Sequence, residues 1–243
     1  MYKGMYVAMT GSTLKMMELD NVTNNLANVS TNGFKRTSFS TRLYPITEAL
    51  PQVNNAACPD ARSMAFTGKY SIDPAQGVVQ TTGNPLDVAI NGEGFFIVDV
   101  KGERNFTRNG SFGIDKDGFL TAGNGYKVIG TDDKPIKLGK DLKAAPNIAT
   151  DGSITVEGNT VGTLKMVKIT DIQNLSEALY AGKVAGSAKG EVKQGSLERS
   201  NVNPLRELVV MITAQREFQT IQQMMRSFDQ LTSEAVTQIA KVS

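Results

Sequence analysis

Apolar side chains in the first thirty residues recur at steps of three and four, with Ser12 in the one polar position of the series. This spacing predicts an amphipathic α-helix. The segment Thr31-Asn32-Gly33 follows, and Asn and Gly tolerate the positive φ that ends a helix or forms a tight turn. The repeating positions are Met5, Met9, Met16, Leu19, Val22, Leu26 and Val29.

A heptad repeat occupies the last forty residues, beginning at Asn203-Pro204, where Asn suits a helix cap and Pro suits the first turn. No Gly follows Gly195 and no Pro follows Pro204, so we predict one continuous helix of roughly 55 Å that packs against another helix. One row of heptad positions is Met211, Phe218, Met225, Thr232 and Ile239, and the other is Ala214, Ile221, Phe228, Ala235 and Val242.

The region between the two helices has the sequence features of a β domain. Eleven of the 23 glycines fall between Gly77 and Gly130, and turn pairs such as Asn91-Gly92 separate short alternating apolar runs. We therefore predict an α+β fold, in which N- and C-terminal helices forming a coiled-coil region accompany a central antiparallel β domain. The predicted boundaries are 1–36 and 200–243 for the helical coiled-coil domain, 37–76 for an irregular connector and 77–199 for the β domain.

Composition narrows the possible functions. The 243 residues carry a net charge of +2, with Lys and Arg spread along the chain, so no nucleic-acid partner is expected. There is no His and only one Cys, which removes an imidazole base for a nucleophile and a His/Cys ligand set for a metal. Enzymes that rely on carboxylates or lysine remain open. We predict a protein that is not an enzyme and has no cofactor, metal or catalytic residues.

Two short motifs resemble binding loops and are better explained as turns. Asn91-Gly-Glu-Gly-Phe95 contains Gly-x-Gly but lies between two predicted strands and lacks a third Gly, unlike a dinucleotide site. Asp115-Lys-Asp-Gly118 begins like a calcium loop, yet Tyr126 stands where a bidentate Glu is required.

Neither a membrane span nor a cleaved signal is predicted. The apolar run from Met5 to Met9 is shorter than the roughly 7–15 residues of a signal-peptide core, and no run approaches about 18 apolar residues. The apolar stripes could lie on a bilayer surface or bury against the chain's own domain. Residues 204–243 carry four basic and four acidic side chains, which argues against the bilayer, and a heptad over five repeats favours a long seam.

Three segments of the chain resemble the flagellar rod and hook protein family. The central one runs from Thr82 to Val98 and continues at Phe106-Thr-Arg-Asn-Gly-Ser-Phe112. The terminal ones carry the family's two signatures, and the three matching regions, 1–40, 77–130 and 196–243, make up more than half of the chain. The signature residues are Asn24, Asn25, Leu26, Ala27, Asn28, Gly33, Phe34 and Lys35 near the N-terminus, and Ser200, Asn201, Val202 and Asn203 before the last helix.

The resemblance implies a structural, axial subunit of the flagellum, with terminal helices in an inner coiled-coil tube and the β domain outside. It implies export without a cleaved signal through the flagellar type III export apparatus, and a place in the periplasmic rod of the basal body. The implied partners are other rod and hook-family axial proteins and copies of the chain itself. The total length and the short connector resemble a proximal-rod member more than a distal-rod member.

The assembly interface is expected along the terminal helices. A soluble coiled-coil adaptor that never polymerises, and a carboxylate-dependent hydrolase on the β domain, are the alternatives. Pro204 departs from relatives that place an ordinary helix former there, and is compatible with a helix start. The predicted interface residues are Met9, Met16, Leu19, Leu26, Met211, Ala214, Phe218, Ile221, Met225, Phe228, Ala235 and Ile239.

Overall fold

The fold is α+β, with one helix near each end and a β-rich region between them. The computed structural model describes residues 2–45, 63–66, 70–123, 125–139 and 144–242. The helices are α1 (Tyr2–Ala27) and α2 (Pro204–Val242). The strands are β1 (Thr37–Phe39), β2 (Arg42–Pro45), β3 (Ser63–Phe66), β4 (Tyr70–Ile72), β5 (Val79–Thr81), β6 (Val88–Asn91), β7 (Phe95–Val100), β8 (Glu103–Thr107), β9 (Phe112–Ile114), β10 (Leu120–Ala122), β11 (Lys127–Val128), β12 (Asn147–Ile148), β13 (Ser153–Val156), β14 (Asn159–Thr163), β15 (Met166–Ser176), β16 (Leu179–Ser187), β17 (Glu191–Gln194) and β18 (Ser196–Glu198).

The chain divides into two compact units. The first takes its described residues from Met1–Leu26, Thr37–Ser71 and Pro204–Ser243, and the second from Ala27–Arg36 and Ile72–Asn203. The first unit contains both helices and two small strand pairings, β1 with β4 and β2 with β3, of which the second is antiparallel. These strands lie in the segment for which the sequence predicts an irregular connector, so part of that segment is β structure. The start of α2 at Pro204 confirms the predicted helix start.

A seven-stranded antiparallel sheet dominates the second unit, in the order β15-β16-β8-β7-β11-β10-β9. Strand β15 also pairs with β7, through Met166 opposite Phe96 and Val167 opposite Phe95, so β7, β8, β16 and β15 form a closed ring. Strands β12, β13 and β14 form a separate sheet, while β17 pairs with β6 and β18 with β5.

Alternation along β7 explains why the second unit has two apolar cores. Side chains of a strand point to opposite faces in turn. Phe95 and Ile97 accordingly join one buried cluster, with Tyr180 among its members. Phe96 and Val98 join the other. The sequence-predicted turn at Asn91-Gly-Glu-Gly-Phe95 is confirmed between β6 and β7.

Candidate functional site

Helices α1 and α2 pack side by side in antiparallel orientation within the first unit. From one contact to the next, the residue number on α1 rises by the same amount as the residue number on α2 falls. A single antiparallel register therefore holds from residue 11 to residue 25 of α1. Three contacts define this register: Lys15 Nζ lies 2.6 Å from Glu217 Oε2, Asn25 Nδ2 donates to Glu207 Oε2 at 3.2 Å, and a Cβ added at Gly11 would lie 3.7 Å from Ile221 Cδ1.

Asn25 is the polar centre of the helix pair. Its side chain is buried, and its Nδ2 donates to the Thr37 carbonyl oxygen at 2.8 Å as well as to buried Glu207. Its Oδ1 accepts from the Thr37 amide at 3.0 Å. Burying a polar group costs free energy unless the group is hydrogen-bonded. Asn25 therefore serves as a buried hydrogen-bond partner of Glu207 at this position along the helix pair.

The heptad stripe of α2 lies on the side that faces α1. Ala214 is buried, and the other described members of the predicted interface on α2 are partly buried. Among the described side chains of α1, the buried apolar ones are those of Ala8, Leu14 and Val22, and of these Val22 belongs to the sequence-derived series. The partly buried α2 members are Met211, Phe218, Ile221, Met225, Phe228 and Ala235, while the side chain of Ile239 lies outside the described residues.

A second set of apolar residues points away from the α1–α2 contact. At about 100° per residue, Met9 and Met16 lie on the side of α1 opposite Gly11 and Lys15. They are 61% and 57% exposed. Leu19 and Leu26 are partly buried. Near the start of α2 the exposed apolar set is Leu205, Leu208, Val209 and Ile212, and further along the helix Met224 and Leu231 are also exposed. The heptad pattern includes none of them.

The two signature segments run beside each other in the second unit. The Gly33 amide donates to the Glu198 carbonyl oxygen at 2.8 Å, and the Arg36 amide donates to Asn201 Oδ1 at 2.6 Å. Gly33 has a φ of 72°, and a Cβ there would lie 2.3 Å from the Arg108 carbonyl carbon. Only glycine fits, because both the left-handed backbone and the space exclude a side chain.

Three buried charged side chains meet at Glu198. Its Oε1 lies 2.5 Å from Lys35 Nζ and its Oε2 lies 2.8 Å from Arg108 Nη1. The Gly77 amide also donates to Oε1, at 2.9 Å. Burial lowers the pKa of Lys35, an effect that Glu198 opposes. We call Lys35, Arg108 and Glu198 the ion cluster.

Carbonyl oxygens and one phenol complete the surroundings of the ion cluster. Lys35 Nζ donates to the Ala75 carbonyl oxygen at 2.7 Å, and Arg108 Nη2 donates to that of Gly92 at 2.7 Å. The Tyr180 hydroxyl accepts from the Lys35 amide at 2.7 Å and donates to the Gly33 carbonyl oxygen at 3.3 Å. Burial raises the pKa of Tyr180. The arrangement therefore joins distant parts of the chain.

The signature residues differ in how deeply they are buried. Phe34 and Val202 are buried, as are Asn25, Gly33 and Lys35. Leu26, Asn28, Ser200 and Asn201 are partly buried, whereas Asn24, Ala27 and Asn203 are exposed. The family resemblance includes Arg108 in its central segment and Glu198 and Glu207 in its C-terminal segment, but it assigns them no role. Tyr180 lies outside all three matching regions.

The calcium-like fragment forms a turn between β9 and β10. Asp115 Oδ1 accepts from the amides of Phe119 at 2.8 Å and Asp117 at 2.9 Å. These donors, the Phe119 amide foremost, lower the pKa of Asp115. Within the described residues, no group of three or more Asp, Glu, Cys or His side chains could hold a metal ion. None of the described helix segments combines the length and apolar content needed to cross a membrane.

Comparison with protein-family models gives three matches along the chain. Residues 5–35 match a model described as flagella basal body rod protein. Residues 89–156 match the flagellar hook protein FlgE/F/G D1 domain. Residues 193–238 match the flagellar basal body rod FlgEFG protein C-terminal model. Together they define the rod and hook class of axial flagellar proteins.

Curated relatives agree over the whole length. The chain is 31% identical to the flagellar basal-body rod protein FlgG of Buchnera aphidicola subsp. Acyrthosiphon pisum, over 95% of this chain and 97% of that protein. It is 29% identical to FlgF of Caulobacter vibrioides over 100% of both chains, and 27% identical to FlgG of Bacillus subtilis over 97% and 98%. The chain therefore belongs to the flagellar basal-body rod proteins, of the FlgF/FlgG type, and is a structural subunit of the rod.

Proposed function

We propose that this rod subunit assembles through its terminal helices, which pack as a coiled coil with copies of the chain and with other axial proteins. The observation that carries the proposal is that α1 and α2 have apolar residues on two sides. One side is occupied by the α1–α2 contact, and the other exposes Met9 and Met16 on α1 and Val209 on α2. A helix with apolar residues on more than one side is typically buried in an assembly.

We further propose that the interface residues predicted from the sequence make two kinds of contact, within the helix pair and between neighbouring subunits. The inward stripe, which contains Ala214 and Phe218, holds the helix pair together so that the outward residues are presented to neighbours. On this view, the helical coiled-coil domain takes in 1–36 and 200–243, the connector 37–76, and the β domain 77–199.

We also propose an export route and a position in the rod, both on the basis of family membership. The subunit passes through the flagellar type III export apparatus without a cleaved signal and joins the rod in the periplasmic space. Absence of disulfides suits passage of an unfolded chain, since the sequence has a single Cys. A proximal-rod position is supported by the FlgF relatives, which align over the full length of both chains.

The experiment that tests the proposal is purification of basal bodies from cells in which a tagged copy replaces the native one. We expect the tagged chain in the rod fraction, restored motility, and retention in the cytoplasm when the export apparatus is deleted. Recovery only in soluble, discrete complexes would support the adaptor alternative. Appearance in the periplasm without the export apparatus would contradict the proposed route.

A further inference from the structure

Two outward apolar patches on the helix pair have matching lengths. The outer patch of α1 consists of Met9 and Met16, seven residues apart, and is followed four residues later by exposed Asp20. The outer stripe of α2 consists of Leu205, Leu208, Val209 and Ile212, and its ends are also seven residues apart. At 1.5 Å per residue, each patch is about 10 Å long.

We propose that the outer stripe of α2 docks the outer patch of α1 from a second copy of the chain, with the two helices antiparallel. This inference rests on the proposed function and names the surfaces that carry it. In this packing Met9 lies beside Ile212 and Met16 beside Leu205. Asp20 then lies just beyond Pro204, at the N-terminal turn of α2.

Charge complementarity supports this partner. The N-terminus of a helix carries a partial positive charge, which favours a carboxylate nearby. Arg206 is exposed in the same turn of α2 and adds positive charge. The acidic residue of this turn, Glu207, is buried and accepts a hydrogen bond from Asn25 of its own chain. A second copy therefore places Asp20 near the exposed positive charge of this turn, and its two methionines adapt to the apolar stripe because their side chains are unbranched and flexible.

A parallel packing also matches apolar residues, with Met16 beside Ile212 and Asp20 beside Arg216. Within one chain, however, α1 and α2 are antiparallel, so a parallel contact between copies would invert the second copy and close a two-fold dimer. A rod built by repeating one contact that does not close needs copies that point the same way. The antiparallel contact is the one that keeps this direction.

The antiparallel contact also displaces the second copy along the helix axis. Within one chain, the register places Met9 level with Gln223. Between copies, Met9 lies level with Ile212, which is eleven residues earlier and corresponds to about 16 Å. Such a contact is heterologous and does not close, so repeating it adds copies in one direction.

Disulfide trapping tests the contact in assembled basal bodies. A Cys58→Ser background removes the single cysteine of the chain. In that background, Met16→Cys/Leu205→Cys joins residues that the proposal places together, and Met16→Cys/Ile212→Cys is the matched control. We expect the first variant to give a reducible ladder of dimers, trimers and larger multimers after oxidation, and the control to remain monomeric.

The outcomes separate this inference from the proposed function. Covalent dimers in the control, without larger species, would identify the inverted two-fold contact and overturn the inference. Monomers in both variants, present in basal bodies at the normal level, would overturn it while leaving assembly into the rod intact. Absence of the unmodified chain from basal bodies would contradict the proposed function itself.

A charge substitution provides a second measurement that needs no cysteine. Val209→Glu places a carboxylate in the outer stripe, whereas Gln223→Glu places one on the same side of α2 beyond it. We expect at least a tenfold loss of incorporation for the first and normal incorporation for the second. Normal incorporation of Val209→Glu would overturn the inference.

Discussion

Lys35 and Glu198 are 163 residues apart in the chain and form a buried ion pair of 2.5 Å in the second unit. The pair joins the segment that follows α1 to the segment that precedes α2. Because Arg108 shares the same carboxylate, the site buries two positive charges and one negative charge. The carbonyl oxygens of Ala75 and Gly92 accept hydrogen bonds from the two cations and help to offset this imbalance.

Glu198→Gln is expected to destabilise the second unit. The substitution keeps the shape of the side chain but leaves Lys35 and Arg108 buried without a carboxylate, which costs about 3–5 kcal/mol for a broken buried pair. Urea unfolding of the isolated protein, followed by the β-sheet signal in circular dichroism, measures the loss.

The matched control for this prediction is Glu93→Gln. Glu93 pairs with Lys168 at 2.6 Å on the surface, where solvent screens the pair and it adds little to stability. Equal effects of the two substitutions would show that the ion cluster does not stabilise the unit.

Gly33→Ala should be far more damaging than Gly83→Ala. Both glycines have positive φ, 72° and 78°, so alanine costs about 1–2 kcal/mol at either position. At Gly33 the added Cβ would also overlap the backbone of Arg108, whereas nothing lies within 4 Å at Gly83. We expect the extra loss at Gly33 to appear as a lower unfolding midpoint. Indistinguishable midpoints would mean that the backbone at Arg108 moves aside freely.

The Tyr180 hydroxyl predicts a specific dependence of stability on pH. Burial raises its pKa above the ordinary 10.0, so above that pH the unfolded chain ionises this group first. Stability from this group is therefore present below pH 10.0 and decreases as the pH rises above it. Tyr180→Phe removes the decrease, and at neutral pH it costs about 1–3 kcal/mol because the Lys35 amide loses its acceptor.

Unfolding measured from pH 8 upward in about half-unit steps tests the Tyr180 prediction. The difference in stability between the native chain and the Phe variant should shrink above pH 10.0. Tyr70→Phe is the control, since Tyr70 is half exposed. A constant difference across the range would contradict ionisation of Tyr180 as the cause.

The sequence was most informative where a repeat is long or a turn residue is required. Residue spacing predicted both helices and the start of α2 at Pro204, because periodicity reports which face of a helix is apolar. It did not report what each face contacts. Leu14 is buried although it lies outside the predicted series, and Val209 is exposed although it is apolar.

Long-range polar contacts were not predictable from spacing. Nothing in the local pattern links Glu198 to Lys35 or Asn25 to Glu207, since each pair meets only through the fold. The pairing of β15 with β7 is likewise not predictable from residue spacing. The resemblance to a family did select Lys35 and Asn25, but it supplied no partner for either of them.

Phe228→Asp tests whether the inward stripe of α2 is needed for assembly. Phe228 is partly buried on the side of α2 that faces α1, so a carboxylate there meets apolar side chains. Loss of an aromatic side chain costs about 3–5 kcal/mol where it is fully buried and less at this partly buried position, and an unpaired charge adds to the cost. The second unit has its own apolar cores and should keep its β-sheet signal. We therefore expect a protein that is produced and exported, but is missing from purified basal bodies and fails to restore motility.

Gln230→Asp, at an exposed position two residues further on, should behave as the native chain does. Normal incorporation of Phe228→Asp would show that the stripe is dispensable for assembly, whereas loss of the β-sheet signal would show that the helices and the β-rich unit share one core.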